Sequence, residues 1–449
     1  MRKLRSLRCL MPLAAALLLT ACGGGSSDPS PTSSSSSGSS TSSSSSSSSS
    51  SGSSTSSSSS SSGGNGGNVV SLTVGPGPTQ ASSFFNIPTT TVKVCLPGST
   101  SACRTISNVL VDTGSYGLRL LASALNGLIP SSSFQQDPST GGNFIVECLP
   151  FADGYTWGPV ASVDLYIGGE KAASLPINII DDSNSLEPAA PSSCAQNGNN
   201  TDISSVDDLG ANGIMGVGLY SYDCGSYCAQ PPVEQMQGYV YYSCSVSTCS
   251  PTSEPLASQV INPVSLFPVD NNGVVLQLPS TGPSGETSTV TGSLIFGIGT
   301  QSNNGLGSAT VLTTDTSGFI VTMFNSQQLS SSFLDSGSNG LYFPDSSITK
   351  CTGSSGASDF YCPSSTLPFS ATNQGQNGAQ STVSFSIGNL NSFSPSDFAL
   401  SEVGGPATSI TGIGTSYFDF GVPFFYGRSV FTAIEGQPAG GTVGPYFAY

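Results

Sequence analysis

One ten-residue segment occurs twice in this chain, once in each half. VLVDTGSYGL begins at Val109, and SFLDSGSNGL begins at Ser332. Both copies end in the same order: an apolar residue, Asp, Thr or Ser, Gly, Ser, any residue, Gly and Leu. A single Asp-Ser-Gly-Ser is plausible by chance in a chain so rich in serine and glycine, whereas two long matching copies are not. The repeat therefore predicts two related halves, each presenting one aspartate, Asp112 or Asp335.

Each copy has the residue types of a β-strand that ends in a sharp turn. Gly114 and Gly337 allow the backbone to turn tightly and to approach a partner closely. The hydroxyls of Ser115 and Ser338 can donate hydrogen bonds to the carboxylate beside them. If folding brings the two turns together, the two carboxylates cannot both ionise and share a proton. One could then take a proton from water while the other protonates a carbonyl or a leaving group.

The chain contains no histidine, which excludes Ser-His and Cys-His nucleophilic pairs, histidine metal sites and an imidazole general base. The sequence has 10 basic against 26 acidic residues, and four of the basic ones lie in the first eight positions. No basic face is left to neutralise phosphates, so nucleic acid is a poor partner. The low charge, with 54 Gly and 30 Pro, favours a chain rich in strands and loops.

The first 22 residues have the pattern of an export signal. Basic residues precede an apolar run from Leu10 to Leu19, which is too short to span a bilayer as a mature helix. The segment ends Leu-Thr-Ala-Cys22, which resembles the lipobox of bacterial lipoproteins. That resemblance implies a lipid on Cys22 and, because Gly23 follows, sorting to the outer membrane of the cell envelope. The other interpretation is an ordinary secretory signal with an incidental cysteine.

The sequence predicts four regions. Residues 1–22 form the lipoprotein signal peptide, and residues 23–68 form a Ser/Gly-rich tether. The core of that tether, residues 33–62, contains only serine, glycine and threonine, and such a stretch has no apolar surface to offset its ordering entropy. The remaining residues exceed what one hydrophobic core usually organises, so we expect an N-terminal β lobe over 69–265 and a C-terminal β lobe over 266–449.

Ten cysteines remain beyond Cys9 in the leader and Cys22. An even number in an exported chain indicates disulfides, and several of the cysteines lie close enough in sequence to close small local loops. Their connectivity stays open. A zinc site of four thiolates is the weaker alternative, because paired C-x2-C spacings are missing. The ten are Cys95, Cys103, Cys148, Cys194, Cys224, Cys228, Cys244, Cys249, Cys351 and Cys362.

Taken in order, these segments resemble a pepsin-like aspartic protease over nearly the whole chain after the tether. The two Asp-[Thr/Ser]-Gly-Ser segments match the catalytic turns of that family. Other segments are similar to its flap strand and the strand after it, to the two apolar-apolar-Gly elements behind the aspartates, and to the strand pair that opens the second lobe. The flap strand and the next strand are residues 158–169, the two apolar-apolar-Gly elements are residues 212–218 and 418–431, and the strand pair is residues 292–299. The resemblance implies a mainly β fold of two related lobes with a cleft between them.

The resemblance also implies roles for individual residues. Asp112 and Asp335 would hold the nucleophilic water. The Thr or Ser after each aspartate would brace the lobes through backbone hydrogen bonds, and the Ser after each glycine would orient the carboxylate. These supporting residues are Thr113, Gly114, Ser115, Ser336, Gly337 and Ser338. The family cleaves extended polypeptide through a gem-diol intermediate without metal, cofactor or acyl-enzyme, and we expect a monomer.

The sequence departs from that family around the flap. The flap tyrosine aligns with Phe151, although Tyr155 and Trp157 lie in the same predicted hairpin. At the position of the tryptophan that usually partners the flap tyrosine, this sequence has Arg119. Arg119 is either a surface cation or a cleft residue that recognises an acidic substrate. In the second apolar-apolar-Gly element, Asp419 stands where an apolar residue is usual. For the three aromatic residues, packing in the hairpin or core is the alternative to covering a substrate.

The leading hypothesis is a membrane-tethered, exported aspartic endopeptidase that acts on extended polypeptide. The alternatives are a catalytically inactive binding module on the same fold and a structural lipoprotein of the envelope, in which Asp112 and Asp335 would cap local turns. The two intact turns favour the enzyme, whereas the altered flap favours the binding module. The chain is also similar to a family of exported bacterial proteins of uncharacterised function, for which proteolysis is an inference from fold.

Overall fold

The computed structural model describes residues 67–78, 84–183, 185–196, 201–232, 238–353, 357–410 and 413–449. The predicted signal peptide, Cys22 and nearly all of the predicted tether lie outside these residues. Strands dominate the described chain, and each α-helix in it is only four residues long. The prediction of a mainly β chain is therefore confirmed.

The strands and helices follow in chain order. In the first half the strands are β1 (Val69–Val74), β2 (Pro88–Cys95), β3 (Cys103–Asp112), β4 (Tyr116–Leu121), β5 (Phe144–Pro150), β6 (Tyr155–Ile167), β7 (Glu170–Ile180), β8 (Gly213–Val217), β9 (Tyr241–Cys244) and β10 (Cys249–Pro251). In the second half they are β11 (Gly273–Leu278), β12 (Val290–Phe296), β13 (Val311–Thr313), β14 (Ile320–Phe324), β15 (Gln327–Leu334), β16 (Leu341–Phe343), β17 (Leu367–Gln374), β18 (Gln380–Ile387), β19 (Gly404–Pro406), β20 (Asp419–Phe420), β21 (Arg428–Ala433), β22 (Pro438–Ala439), β23 (Thr442–Val443) and β24 (Tyr446–Ala448). The α-helices are α1 (Ala122–Leu125), α2 (Ser192–Ala195), α3 (Val206–Leu209) and α4 (Val422–Phe425), and short 3₁₀ turns occupy Ser131–Ser133, Gly225–Tyr227, Leu256–Ser258, Pro263–Leu266, Ala357–Asp359 and Leu390–Ser392.

The described strands form a fifteen-stranded sheet, a seven-stranded sheet and a two-stranded ribbon. The largest sheet takes strands from both halves of the sequence, because β1 pairs antiparallel with β12 along its whole length. Burial follows position in the sheet. In β2, buried Val92 and Val94 alternate with exposed Thr91 and Lys93, as expected for a strand with one face in water. The last four residues of β3 are all buried, because neighbouring elements cover both faces there.

The same four-strand arrangement occurs in both halves. In the first half β3 pairs parallel with β8, β8 pairs antiparallel with β4, and β4 pairs parallel with β7. In the second half β15 pairs parallel with β20, β20 pairs antiparallel with β16, and β16 pairs parallel with β19. The repeated sequence segment spans the β3–β4 turn in one half and the β15–β16 turn in the other. The repeat in sequence thus coincides with a repeat in strand pairing.

All ten cysteines expected in the exported chain form disulfides. Four of the five bonds close short loops, and the fifth joins Cys148 on β5 to Cys194 in α2 across 46 positions. The pairs are Cys95–Cys103, Cys148–Cys194, Cys224–Cys228, Cys244–Cys249 and Cys351–Cys362. The cysteine sulfurs are therefore committed to one another rather than to zinc. Five disulfides indicate an oxidising compartment and so an exported protein.

In the part of the chain that the structure describes, no helix combines the length and the apolar character needed to cross a membrane.

Loop length predicts how much two of these disulfides contribute to stability. Replacing both Cys148 and Cys194 with Ala should lower the free energy of unfolding by about 4 kcal/mol, because a long loop loses its restraint in the unfolded chain. The matched double replacement of Cys244 and Cys249, which are 5 positions apart, should cost about 2 kcal/mol. Urea unfolding of the two variants measures both values. Equal losses would show that loop closure is not the source of the stabilisation.

Candidate active site

The two aspartates of the repeat lie at corresponding strand ends. Asp112 is the last residue of β3, and Asp335 directly follows the last residue of β15. Both side chains are fully buried. Each strand end is held by its parallel neighbour: Asp112 is in register with Gly216 of β8, and the Asp335 amide donates a hydrogen bond to the carbonyl of Phe420 on β20. Regular pairing therefore fixes where each carboxylate emerges.

Reciprocal hydrogen bonds join the two turns. The Thr113 amide donates to the Ser336 hydroxyl oxygen at 3.0 Å, and the Ser336 amide donates to the Thr113 hydroxyl oxygen at 2.9 Å. Each hydroxyl then donates onward to the strand before the opposite aspartate, Ser336 to the Val111 carbonyl at 2.7 Å and Thr113 to the Leu334 carbonyl at 3.3 Å. The four bonds are buried and related by an approximate two-fold exchange. They hold the two strand ends against each other.

Each carboxyl group lies over the glycine of the opposite turn. A Cβ atom placed on Gly114 would lie 2.6 Å from Asp335 Cγ, and one placed on Gly337 would lie 2.6 Å from Asp112 Oδ1. Real Cβ atoms do not approach other atoms so closely, so both positions need glycine for space. The structure thus brings Asp112 and Asp335 together, as the repeat predicted.

Both carboxylates also accept hydrogen bonds from their own turns. The Ser115 hydroxyl donates to Asp112 Oδ2 at 2.5 Å, and the Gly114 amide donates to Oδ1 at 2.8 Å. In the second turn the Gly337 amide donates to Asp335 Oδ1 and the Ser338 hydroxyl is hydrogen-bonded to Asp335 Oδ2, each at 2.7 Å. These bonds fix the orientation of the two carboxyl groups.

Burial and proximity change the acidity of the pair. Burial, followed by the charge of Asp335, raises the pKa of Asp112 well above its ordinary value, and the hydrogen bonds from Ser115 and Gly114 only partly oppose this rise. One carboxyl group of the pair therefore keeps its proton at pH values where an isolated aspartate is ionised. A protonated and an ionised carboxyl side by side can serve as an acid and a base together.

Arg119 has a role that sequence analysis did not predict. Its side chain is fully buried, so it is not a surface cation. The guanidinium donates two hydrogen bonds to Glu147 on β5, at 2.6 and 3.0 Å, and one to the Tyr116 carbonyl at 2.7 Å. It therefore joins the strand after the first aspartate to the β5–β6 hairpin and is committed to Glu147 rather than available to an acidic substrate.

Two further residues complete this buried network. Asp223 lies 3.3 Å from the Arg119 guanidinium and accepts hydrogen bonds from the Tyr241 hydroxyl at 2.8 and 2.9 Å. Burial, followed by the hydrogen bond and charge of Glu147, raises the pKa of Asp223 well above its ordinary value. The sequence signal for this network was an acidic residue, Glu147, in an otherwise apolar strand, which indicates a cationic partner but does not identify it.

The predicted flap residues lie on or next to the β5–β6 hairpin in packed positions. Phe151 is fully buried in an apolar cluster, and Tyr155 and Trp157 are also buried. The Trp157 ring packs edge-on against Tyr242 at 5.2 Å, and its N–H donates to the Pro188 carbonyl at 2.9 Å. The other edge of β5 pairs with β9, so a second hairpin, β9–β10, extends the sheet beside this one. The packing interpretation therefore describes all three aromatic residues in this structure.

Removing the Thr113 hydroxyl should weaken the junction between the turns. Thr113→Val should lower the free energy of unfolding by about 2–4 kcal/mol, because the buried Ser336 amide loses its acceptor and the Leu334 carbonyl loses a donor. Thr113→Ser keeps the hydroxyl and should cost only about 1 kcal/mol for one buried methyl group. Urea unfolding of both variants tests this, and equal losses would contradict a role for the hydroxyl.

Comparison with known proteins gives one family for this fold and site. A family described as "Protein of unknown function (DUF3443)" matches residues 64–449. Comparison with curated proteins gives no match. Because the match extends over more than half of the sequence and includes both aspartate turns, the chain belongs to the DUF3443 family.

Proposed function

We propose that this protein is an exported aspartic endopeptidase with a pepsin-like arrangement of two β lobes. The observation that carries the proposal is the pair of buried carboxyl groups, Asp112 and Asp335, each lying over the glycine of the opposite turn. Reciprocal hydrogen bonds between Thr113 and Ser336 hold this pair in place. A purely structural turn aspartate needs no second acid against it, because such a contact costs free energy.

The proposed reaction uses only these two side chains and water. The ionised carboxyl takes a proton from a water molecule as the water oxygen attacks the peptide carbonyl carbon, and the protonated carboxyl gives its proton to the carbonyl oxygen. The product of this step is a gem-diol. A proton then passes from the diol to the peptide nitrogen through the carboxyl pair, the C–N bond breaks, and the pair returns to its starting state. The substrate class would be extended polypeptide bound by a monomer, without a metal or cofactor.

The repeated strand pairing supports the two-lobe part of the proposal. The same order, parallel, antiparallel and parallel, surrounds Asp112 and Asp335, as expected if one lobe covers residues 69–265 and a related one covers 266–449. The proposed cleft would run between these lobes past the two turns.

A second candidate is a binding module on the same fold without catalysis. The observation that favours it is how the β5–β6 hairpin is held: β9 pairs along β5, and the Cys148–Cys194 disulfide ties β5 to α2. A hairpin held in this way is less free to open and close over a substrate. An envelope lipoprotein with a structural role shares this feature but gives no reason for the paired acids.

We also propose that a lipid on Cys22 anchors the protein to the bacterial outer membrane, with residues 23–68 as the tether. The support is the Leu-Thr-Ala-Cys22-Gly23 sequence and the export that the disulfides indicate. Cys22 and all of the tether except residues 67 and 68 lie outside the described residues.

Isosteric variants of the two acids test the proposed reaction. The purified protein should cleave casein somewhere between pH 3 and 7, and Asp112→Asn or Asp335→Asn should each reduce the rate by roughly 10²–10⁴-fold or more, because each removes a proton donor and acceptor. Asp207→Asn, at an exposed position, is the matched control and should leave the rate unchanged. A statine-type inhibitor should block the wild-type activity. Cleavage that survives both isosteric variants, or a folded protein that cleaves nothing, would reject the endopeptidase.

The lipid anchor has its own test. Cys22→Ser should move the protein from the membrane fraction to the soluble fraction of the cell envelope, because the lipobox then lacks the cysteine that carries the lipid. Metabolic labelling with palmitate should mark the wild-type protein and not the variant. Labelled or membrane-bound Cys22→Ser protein would contradict lipidation at this residue.

A further inference from the structure

A third buried carboxyl group lies beside the aspartate pair. Asp419 is in β20, in register with Phe333 of β15 and with Tyr342 of β16, and its side chain is fully buried. Phe418 and Phe420 flank it in sequence, and their rings stack at 4.0 Å. A fully buried carboxyl group is costly unless hydrogen bonds satisfy it.

The Ser338 hydroxyl connects this third acid to the pair. Ser338 Oγ lies 2.7 Å from Asp335 Oδ2 and 2.7 Å from Asp419 Oδ2. A serine hydroxyl has one proton and donates to one acceptor at a time. Since both distances are those of hydrogen bonds, the second contact needs a proton from a carboxyl group, so either Asp335 or Asp419 is protonated and donates to Ser338.

This bridge has two arrangements with the same number of protons. In one, protonated Asp419 donates to Ser338, and Ser338 donates to ionised Asp335. In the other, protonated Asp335 donates to Ser338, and Ser338 donates to ionised Asp419. The contact between Asp335 and Asp112 requires one more proton, because two carboxylates that share a hydrogen bond cannot both be ionised. Three carboxyl groups therefore share two protons.

We infer that Asp419 is a positioning residue for the proposed reaction. Through Ser338 it extends the pair of Asp112 and Asp335 into a system of three acids, and in this system the pair retains its catalytic proton to higher pH. This inference rests on the proposed function of Asp112 and Asp335. At a pH high enough for the Asp335–Ser338–Asp419 bridge to lose its proton, the bridge gains a negative charge. That charge opposes loss of the one proton that Asp112 and Asp335 still share for catalysis.

The surroundings of β20 leave these acids as the dominant charges. Neither paired strand, β15 or β16, contains Asp, Glu, Lys or Arg. Two tyrosines lie near, and their hydroxyls are bonded elsewhere, Tyr342 to Asn339 and Tyr417 to the Thr408 carbonyl. Phe420, adjacent to Asp419 on the strand, lines a cavity that Glu402 and Arg428 also line. Successive side chains of a strand point to opposite faces, so we expect these two charges on the face away from Asp419.

The pH dependence of cleavage tests the inference in the full-length protein. Asp419→Asn keeps the shape and a donor for Ser338 but removes the negative charge. The alkaline limb of the kcat/KM profile should therefore move to lower pH by about one unit, since the remaining pair loses its proton more easily without a third anion. Asp207→Asn should leave the profile unchanged. An active Asp419→Asn enzyme with an unmoved alkaline limb would overturn the inference.

Infrared spectroscopy gives a readout that does not need activity. At pH 5, the wild-type spectrum minus the Asp419→Asn spectrum should show the carbonyl stretch of one protonated carboxyl group, whichever acid holds it, and the Asp207→Asn difference should not. If the Asn variant does not fold, Asp419→Leu should give the same difference band. The band in a protein without protease activity would support the shared proton while rejecting the proposed function. Its absence would overturn the inference whatever the activity.

Discussion

The contact between two like-charged groups is the constraint on which the rest of this structure depends. Two buried carboxyl groups repel each other unless they share a proton, so their approach must be enforced by the surrounding chain. The reciprocal hydrogen bonds of Thr113 and Ser336 enforce it, because each turn supplies both the donor and the acceptor that the other lacks. The parallel strands β8 and β20 then fix the strand ends that carry the two turns.

The chain has few basic residues, and one of them, Arg119, is fully buried. The Arg119 guanidinium is matched with Glu147, and burial and the charge of Glu147 raise the pKa of Asp223 beside them. The network ties the first aspartate turn to the β5–β6 hairpin, and β9 covers the outer edge of that hairpin. In the proposed enzyme, recognition of substrate would therefore depend on a braced hairpin rather than on a free one.

The features of the site that depend on adjacent residues could be predicted from the sequence, whereas those that depend on tertiary contacts could not. The repeated turn identified Asp112 and Asp335 and the glycine two positions after each of them, because turn geometry depends on adjacent residue types. The even number of cysteines indicated disulfides, whereas the Cys148–Cys194 pairing depends on how α2 lies against β5. The burial of Trp157 could not be predicted in the same way, since its ring packs against Tyr242 of β9, far along the chain. Asp419 was visible as an acid in an apolar run, but its contact with Ser338 was not.

The exchange of glycine contacts between the turns has a consequence for how the two halves can vary. Since Gly114 is covered by Asp335 and Gly337 by Asp112, a methyl group introduced in one half would displace the acid of the other half rather than its own. The hydrogen bonds between Thr113 and Ser336, 223 positions apart, couple the two halves at the same place. A redesign that alters one turn must therefore alter both. A gene fragment that encodes either half alone would give one aspartate of the pair without the other.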